Sequence, residues 1–344
     1  MTTNKKNQNY KNFIFSKTFT DSILTLMIFI IIFIIISNPK VFNSGTVSGL
    51  KLFFFNVLPG LFPFMLLTKL LTEIGLIFKI CKKLDKFSYK VFGTPGVSIY
   101  ALLMSILSGY PIGAKIIADL YSKNQITENQ AKKMSVFCTT SGPIFIIGTI
   151  GVTMFNNYKF GLILYASHIL SSIFLGIIYH ILTKNKTQNT NKIVIIQKQL
   201  TTTNQTNIIS KCINETINSL FVVGAYITIF YLIGELFEIL NIFKIFNKLL
   251  IKPFNFLGFN SNQSSGFIYG LLEVTRGSKI LSIFPQKSSL ILASGIVSFS
   301  GISIIMQSMT FLKEAKIKAH NFVFSKCVHC VLSMFLCCLF VVII

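Results

Sequence analysis

The sequence predicts an all-α polytopic membrane protein with two inverted-topology repeats that contain re-entrant hairpins and broken helices. Hydrophobic residues make up 52% of the 344 residues and charged residues only 12%, whereas a soluble domain has about 25% charged residues. Several apolar segments are long enough to cross a hydrocarbon core of about 30 Å. Four of these segments are interrupted by polar, glycine-containing stretches, two in each half of the chain.

The chain begins with a polar tail over residues 1–18 that contains four lysines, and an apolar run over residues 19–37 follows it. That run is long enough to cross a bilayer as a helix. The residues after it are Asn38-Pro39-Lys40, not the small residues of a signal-peptide cleavage site. We therefore expect a cytoplasmic tail and a retained first transmembrane helix.

A first gate-like repeat is expected over residues 50–182. Its first segment contains Leu58-Pro59-Gly60-Leu61-Phe62-Pro63, which is consistent with either a kinked or a broken span. Its second segment is interrupted at Gly109-Tyr110-Pro111 and has lysines on both flanks, which predicts a hairpin that returns to the cytoplasmic side. Its third segment is interrupted at Ser141-Gly142-Pro143. The segments are 50–78, 97–120, 134–155 and 160–182.

A polar linker over residues 183–211, rich in Lys, Asn, Thr and Gln, is expected to separate this repeat from a second one over residues 212–344. The second repeat follows the same order of span, hairpin, broken span and span. Its hairpin is interrupted at residues 273–279 and its broken span at residues 298–303. The segments are 213–240, 264–284, 288–311 and 322–344, with an interfacial helix expected over 241–260.

The spacing of the interruptions supports the repeat. Gly109 follows Pro59 by 50 residues, and Thr275 follows Gly224 by 51. An odd number of spans before the second copy inverts it relative to the first. This arrangement places six basic residues on the outer side, against the usual bias of membrane proteins. They are Lys244, Lys248, Lys252, Arg276, Lys279 and Lys287.

Composition and motifs argue against several functions. The 32 basic residues include a single arginine and lie between apolar segments, so topology explains them better than nucleic-acid binding does. Cys327-Val328-His329-Cys330 has no second pair at metal-ligand spacing, and we expect no metal site or cofactor. The sequence offers no paired carboxylates or catalytic triad, so an enzyme is not expected. His168 and His180 are expected to be packed or interfacial.

Four motifs together resemble those of the YlbJ family of sporulation integral membrane proteins, which bear nucleoside-recognition (gate) domains. The resemblance runs from about residue 45 to the C-terminus, and Lys326 with His329 fits the last helix of the family. Arg276 stands where the family has a neutral residue. The motifs are Gly-Tyr-Pro-Ile-Gly-Ala-Lys at 109–115, Ser-Gly-Pro-Ile-Phe-Ile-Ile-Gly at 141–148, Leu-Glu-Val-Thr-Arg-Gly-Ser-Lys at 272–279 and Phe-Ser-Gly-Ile-Ser-Ile-Ile-Met-Gln at 299–307.

The resemblance implies a multi-pass protein of the cell membrane or outer forespore membrane that exports dipicolinic acid from the mother cell. Dipicolinate is a flat pyridine with two carboxylates, and half-helix N-termini at the hairpin tips suit such an anion. The candidate substrate-binding residues are Gly109, Tyr110, Pro111, Gly113, Lys115, Ser141, Gly142, Pro143, Glu273, Thr275, Arg276, Ser300, Gly301, Ser303 and Gln307.

Several alternatives stay open at this point. Lys115 either faces a substrate carboxylate or extends to the cytoplasmic surface. Arg276 either faces substrate or lies in a solvated loop, and Glu273 either carries a coupling proton or pairs with Arg276. A transporter of nucleosides or other small molecules and a non-transporting assembly factor are the competing functions, and oligomerisation is open. Beyond its small anionic substrate, we expect the lipid bilayer as a partner and no nucleic acid.

Overall fold

The computed structural model of this protein describes residues 21–22, 24–74, 76–183, 205–284 and 287–343, and these form helices and turns without a β-strand. The predicted tail over 1–18 lies outside the described residues, as does most of the linker over 183–211. Four described helices or helix pairs are long and apolar enough to cross a membrane, and up to six are if each bent pair counts as one span. The predicted all-α polytopic membrane fold is confirmed.

The first half begins with α1 (Leu24–Ser37), which meets the next helical stretch at an angle of 99°. Two of its segments are π-helices, here called π1 and π2. The others are α-helices. In chain order they are α2 (Pro39–Lys51), π1 (Leu52–Val57), α3 (Leu58–Ile74), α4 (Leu76–Lys83), α5 (Asp85–Phe92), α6 (Val97–Ser108), α7 (Ile112–Ser122), α8 (Glu128–Phe137), π2 (Ile144–Met154) and α9 (Tyr158–Thr183).

The second half begins with one long helix and ends with another, and shorter helices connect them. The interruptions predicted near Glu273 and Ser300 are the points at which one helix ends and the next begins. In chain order the helices are α10 (Gln205–Ile239), α11 (Ile242–Phe256), α12 (Ser261–Leu272), α13 (Val274–Ser282), α14 (Lys287–Phe299), α15 (Gly301–Leu312) and α16 (Ala319–Ile343).

The segment around Pro59 is a continuous helix, which decides between the two predicted forms. α3 runs through Pro59, Gly60 and Pro63 without a break, and the π-helical turn π1 immediately precedes it. A wider turn just before a proline removes the clash that its ring makes with the preceding carbonyl. The corresponding Gly224 lies in an unbroken α10, where an added Cβ would come within 2.7 Å of the Phe53 ring. Gly224 therefore serves helix packing.

Both predicted hairpins fold back on themselves at their interruptions. In the first, a Cβ on Gly113 of α7 would lie 2.8 Å from Ser105 Oγ of α6. In the second, a Cβ on Gly277 of α13 would lie 2.3 Å from the Cα of Gly270 on α12. Residues seven or eight apart along one straight helix would be more than 10 Å apart at 1.5 Å per residue. Each pair of helices is therefore a tight antiparallel hairpin.

The two halves exchange equivalent contacts. The second arm of the first hairpin, α7, packs on α15, and the second arm of the second hairpin, α13, packs on π2. The closing helix α9 packs on α14, and its counterpart α16 packs on α8. The two closing helices also pack on each other. This reciprocal pattern is that of two repeats related by a pseudo-two-fold axis.

Candidate substrate site

The two interruptions of the first half meet backbone to backbone. Gly109, with φ of 86°, ends α6, and a Cβ on it would lie 2.6 Å from the backbone nitrogen of Gly142. A Cβ on Gly142 would in turn lie 3.0 Å from the Ser108 carbonyl group. Both positions therefore require glycine, one for its backbone conformation and both for the close approach.

Tyr110 connects this meeting point to the second half of the chain. Its side chain is buried, and its hydroxyl accepts a 2.6 Å hydrogen bond from Ser300 Oγ. Ser300 adopts a left-handed conformation with φ of 79° at the point where α14 ends, and Gly301 follows with φ of 65°. The hydroxyl pair joins the first interruption of one repeat to the second interruption of the other.

Lys326 of α16 lies at this junction with a side chain that is only 1% exposed. Its Nζ donates to the Tyr110 hydroxyl at 3.0 Å and to the carbonyl oxygen of Thr139 at 2.6 Å. It also lies 4.8 Å from the centre of the Tyr110 ring. Among the described residues, no carboxylate lies within ion-pairing distance of Nζ. An ammonium has three donor hydrogens, and two are used.

Two histidines lie beside this lysine. His168 of α9 accepts a 2.8 Å hydrogen bond from the backbone N–H of Ser141, and its other nitrogen lies 2.8 Å from Ser298 Oγ. His329 of α16 lies one turn beyond Lys326, and its Nε2 is 3.0 Å from the His168 carbonyl oxygen. The two ring centres are 4.8 Å apart. His168 is thus a bridge between Ser141 and Ser298, which belong to different repeats.

Buried polar atoms without partners occur at the same place. Ser108 Oγ, next to Gly109, and His329 Nδ1 are both buried and make no hydrogen bond to a described residue. A buried polar group without a partner costs about 1–3 kcal/mol. Together with the spare donor of Lys326, these atoms provide hydrogen-bonding capacity for a polar ligand.

The tip of the second hairpin has a different chemistry. Glu273 caps α13 by accepting hydrogen bonds from the N–H groups of Thr275 and Arg276 at 3.0 and 2.8 Å. The Arg276 guanidinium contacts Glu235 at 3.3 Å and Glu238 at 3.2 Å, both on α10. Arg276 therefore pairs with the scaffold helix α10, and Glu273 is used by its own helix.

Lys115 lies in an acidic setting as well. Its Nζ is 3.3 Å from Asp119, one turn further along α7, and its side chain is 22% exposed. Asp119 also pairs with Lys69 at 3.0 Å, and Lys69 contacts Glu215 of α10. Lys115 thus belongs to a charged network that joins α7 to α3 and α10.

The structure brings together some of the predicted residues and separates others. Gly109, Tyr110, Ser141, Gly142 and Ser300 meet around Lys326 through the contacts above. Gly113 lies in the first turn of α7, and its missing side chain lets this turn pack against the Cys138 carbonyl. Pro111 immediately precedes α7, and Pro143 immediately precedes π2. Gly301 lies close to the backbone at the end of α12. Within α15, Gln307 donates a 3.3 Å hydrogen bond to Ser303. No contact joins Lys115, Arg276, Glu273 or Thr275 to Lys326.

The predicted site omitted Lys326, His168 and His329, which form a buried polar cluster beside Tyr110. The available signal was a lysine within the last apolar segment, because a charged residue at membrane depth is costly and needs a reason. Cys327 is exposed, and Cys330 packs near Gly295. In the part of the chain that the structure describes, no group of His, Cys, Asp or Glu side chains is arranged to hold a metal ion.

Comparison with known proteins agrees with the family motifs. Residues 54–158 match the family described as "Gate: Nucleoside recognition". The chain is 26% identical over 306 residues to the sporulation integral membrane protein YlbJ of Bacillus subtilis (strain 168), and the match covers 84% of this chain and 74% of that protein. No solved structure matches the chain significantly. The chain is therefore a homologue of YlbJ that carries a Gate domain in its first half.

Proposed function

We propose that this chain is a membrane transporter that exports dipicolinate from the mother cell across the outer forespore membrane during sporulation. The observation that carries the proposal is Lys326, a buried lysine without a carboxylate partner among the described residues. Burial without a partner disfavours the charged form of a lysine, and an anion bound beside the lysine restores that form. An anionic substrate provides that partner.

The position of Lys326 supports transport rather than a purely structural role. It lies where Tyr110 and Thr139 of the first repeat meet Ser300 of the second. In transporters with repeated halves, substrate binds between the repeats at interrupted helices, near the middle of the bilayer. The homologue YlbJ is named for sporulation and for its place in a membrane, which supports the biological setting.

The chemistry around Lys326 suits an aromatic carboxylate. The spare donor of the ammonium and the Ser108 hydroxyl can hydrogen-bond a carboxylate. The aromatic ring of Tyr110 offers a face for a flat pyridine. Dipicolinate, with two carboxylates on a pyridine ring, has these features.

Transport by purified protein in liposomes tests the proposal. Wild type is expected to take up labelled dipicolinate, and Lys326→Gln to bind it about 10- to 150-fold more weakly, from about 1.5–3 kcal/mol for a hydrogen bond to a charged group. Glutamine keeps a donor for the Thr139 carbonyl. The matched control is Lys318→Gln, an exposed lysine in the turn before α16, which is expected to behave as wild type.

The competing function is nucleoside transport, which the description of the matching family favours. A neutral nucleoside has no charge for Lys326 to neutralise, so its uptake should be indifferent to Lys326→Gln. Uptake of uridine but not of dipicolinate by wild type would replace the proposal with the nucleoside function. Equal dipicolinate uptake by wild type and Lys326→Gln would remove Lys326 from the site.

A further inference from the structure

The hydrogen bonds of His168 determine which of its nitrogens carries the proton. A backbone N–H can only donate, so the Nε2 atom that faces the Ser141 N–H at 2.8 Å is an unprotonated acceptor. The proton of the neutral ring is then on Nδ1, which donates to Ser298 Oγ at 2.8 Å. A second proton on His168 would break the bond to Ser141. His168 is therefore held as a neutral ring.

The hydrogen bonds of His329 lead to the opposite result. A carbonyl oxygen can only accept, so the Nε2 atom that lies 3.0 Å from the His168 carbonyl carries a proton. In the neutral ring Nδ1 is then a bare acceptor, and it is buried without a partner among the described residues. A proton can be added at Nδ1 without the loss of any hydrogen bond. His329 is therefore the histidine of the pair that can become charged.

The groups that face His329 decide when that charge is tolerated. Lys326 precedes it by one turn on α16, so a positive charge on both side chains is repulsive. The neighbour on α9 is His168, which is neutral. The Tyr110 hydroxyl faces Lys326 from the first interruption, and the uncharged Ser298 of α14 faces His168. With no carboxylate paired to either residue in the described part of the chain, a second positive charge requires an anion from outside.

We infer that His329 takes up one proton at Nδ1 when a dicarboxylate binds beside Lys326. The inference rests on the proposed function and adds to it a coupling proton. An N–H bond forms at Nδ1 with a proton from water, and the bond breaks when the substrate leaves. Lys326 and His329 then present two positive charges to two carboxylates, whereas a monocarboxylate needs only Lys326. Dicarboxylate binding is thereby linked to the uptake of one proton more than monocarboxylate binding.

Calorimetric titration of the purified full-length protein tests the inference at neutral pH. Binding enthalpy is measured in two buffers with different enthalpies of ionisation, because the difference counts the protons taken from the buffer. Wild type is expected to take up about one proton more per dipicolinate than per picolinate, by linkage of protonation to binding. His329→Gln is expected to bind dipicolinate roughly 10-fold more weakly, as for the loss of a charged hydrogen bond, and to take up about one proton fewer than wild type.

The matched control is His320→Gln, an exposed histidine at the start of the same helix, which is expected to keep the proton uptake of wild type. Equal enthalpies in both buffers for wild type and dipicolinate would overturn the inference and leave the proposed function in place. Undiminished proton uptake by His329→Gln would also overturn it. Absence of dipicolinate binding to wild type would instead overturn the proposed function. Should His329→Gln not fold, the wild type alone still tests the inference, because equal proton uptake with dipicolinate and with picolinate would overturn it.

Discussion

Lys326 and Lys115 are both lysines within apolar segments, yet their surroundings differ. Lys326 is 1% exposed and bonded only to neutral oxygens. Lys115 is partly exposed and lies 3.3 Å from Asp119 on its own helix. Water and a carboxylate both lower the cost of the charge on Lys115, so that charge needs no ligand. At the scale of single residues, the candidate anion site is defined by a missing counter-charge.

This difference predicts unequal effects of two identical substitutions. A partly exposed helical ion pair is worth about 0.3–0.5 kcal/mol, so Lys115→Gln should change dipicolinate affinity by less than about threefold. Lys326→Gln serves as the comparison in the same titration. A loss of about tenfold or more in Lys115→Gln would return Lys115 to the substrate site.

At the scale of elements, the interruptions are used in two ways. Those at Gly109 and Gly142 bring two backbones together, with no room for a side chain. The one at Glu273 starts a helix, and the carboxylate satisfies two of the N–H groups that a helix start leaves free. An interruption of an apolar segment therefore forms either a contact between elements or a cap.

Gly142→Ala should abolish transport while the protein still reaches the membrane. Its Cβ would lie 3.0 Å from the Ser108 carbonyl group and push the two interruptions apart. The matched control is Gly148→Ala in π2, where an added Cβ meets no atom within 4 Å. Dipicolinate uptake in liposomes is the measurement, and equal loss in both variants would contradict the role of close approach.

Substitutions of Glu273 separate a cap from a proton carrier. Glu273→Ala removes the cap of α13 and should cost about 1 kcal/mol, seen as a lower melting temperature of the purified protein. Glu273→Ser supplies a good cap without a carboxylate and should recover both stability and transport. If Glu273→Ser is stable but inactive, the carboxylate itself is needed, as for a coupling proton.

At the scale of the whole molecule, the two halves complete each other. The first core cluster combines Ile117 and Phe137 of the first half with Phe311 and Phe322 of the second. The reciprocal packing of α7 on α15 and of α13 on π2 has the same consequence. Neither half buries its apolar surface alone, so we expect the repeats to fold and insert as one unit.

Several basic residues expected on the outer side are accounted for by local contacts. Arg276 pairs with Glu235 and Glu238. Lys287 donates to the Val341 carbonyl at 3.0 Å. The lysines of α11 are exposed on a helix that follows the long α10, which suits an interfacial position. These contacts reduce the conflict between inverted repeats and the distribution of positive charge.

Single-cysteine labelling tests the inverted arrangement. In a background without the exposed Cys327 and Cys338, Asn124→Cys should react with an impermeant reagent from the cytoplasmic face. Asn262→Cys should react only from the opposite face. Both positions are exposed: Asn124 follows α7, the second arm of the first hairpin, and Asn262 lies in the first turn of α12, the first arm of the second hairpin. Labelling of both from the same face would exclude the inverted repeat.

The membrane class, the helical fold and the positions of the interruptions are predictable from the sequence. These depend on local properties, namely apolar length and the backbone preferences of glycine and proline, which can be read along the chain. The motif around Gly109 and the one around Ser300 accordingly lie where helices end. The helix continues through Pro59 because the π-helical turn that precedes this proline accommodates its ring, and it continues through Pro63 as well.

Which polar residues meet depends instead on how distant helices pack. Lys326 is 216 residues from Tyr110 and His168 is 130 residues from Ser298, and no spacing along the chain indicates these contacts. The partners of Lys115 and Arg276 likewise depend on how α7 and α13 pack. A charge at membrane depth needs a partner, and the partner comes from the packing of distant helices, so its identity is a property of the folded molecule.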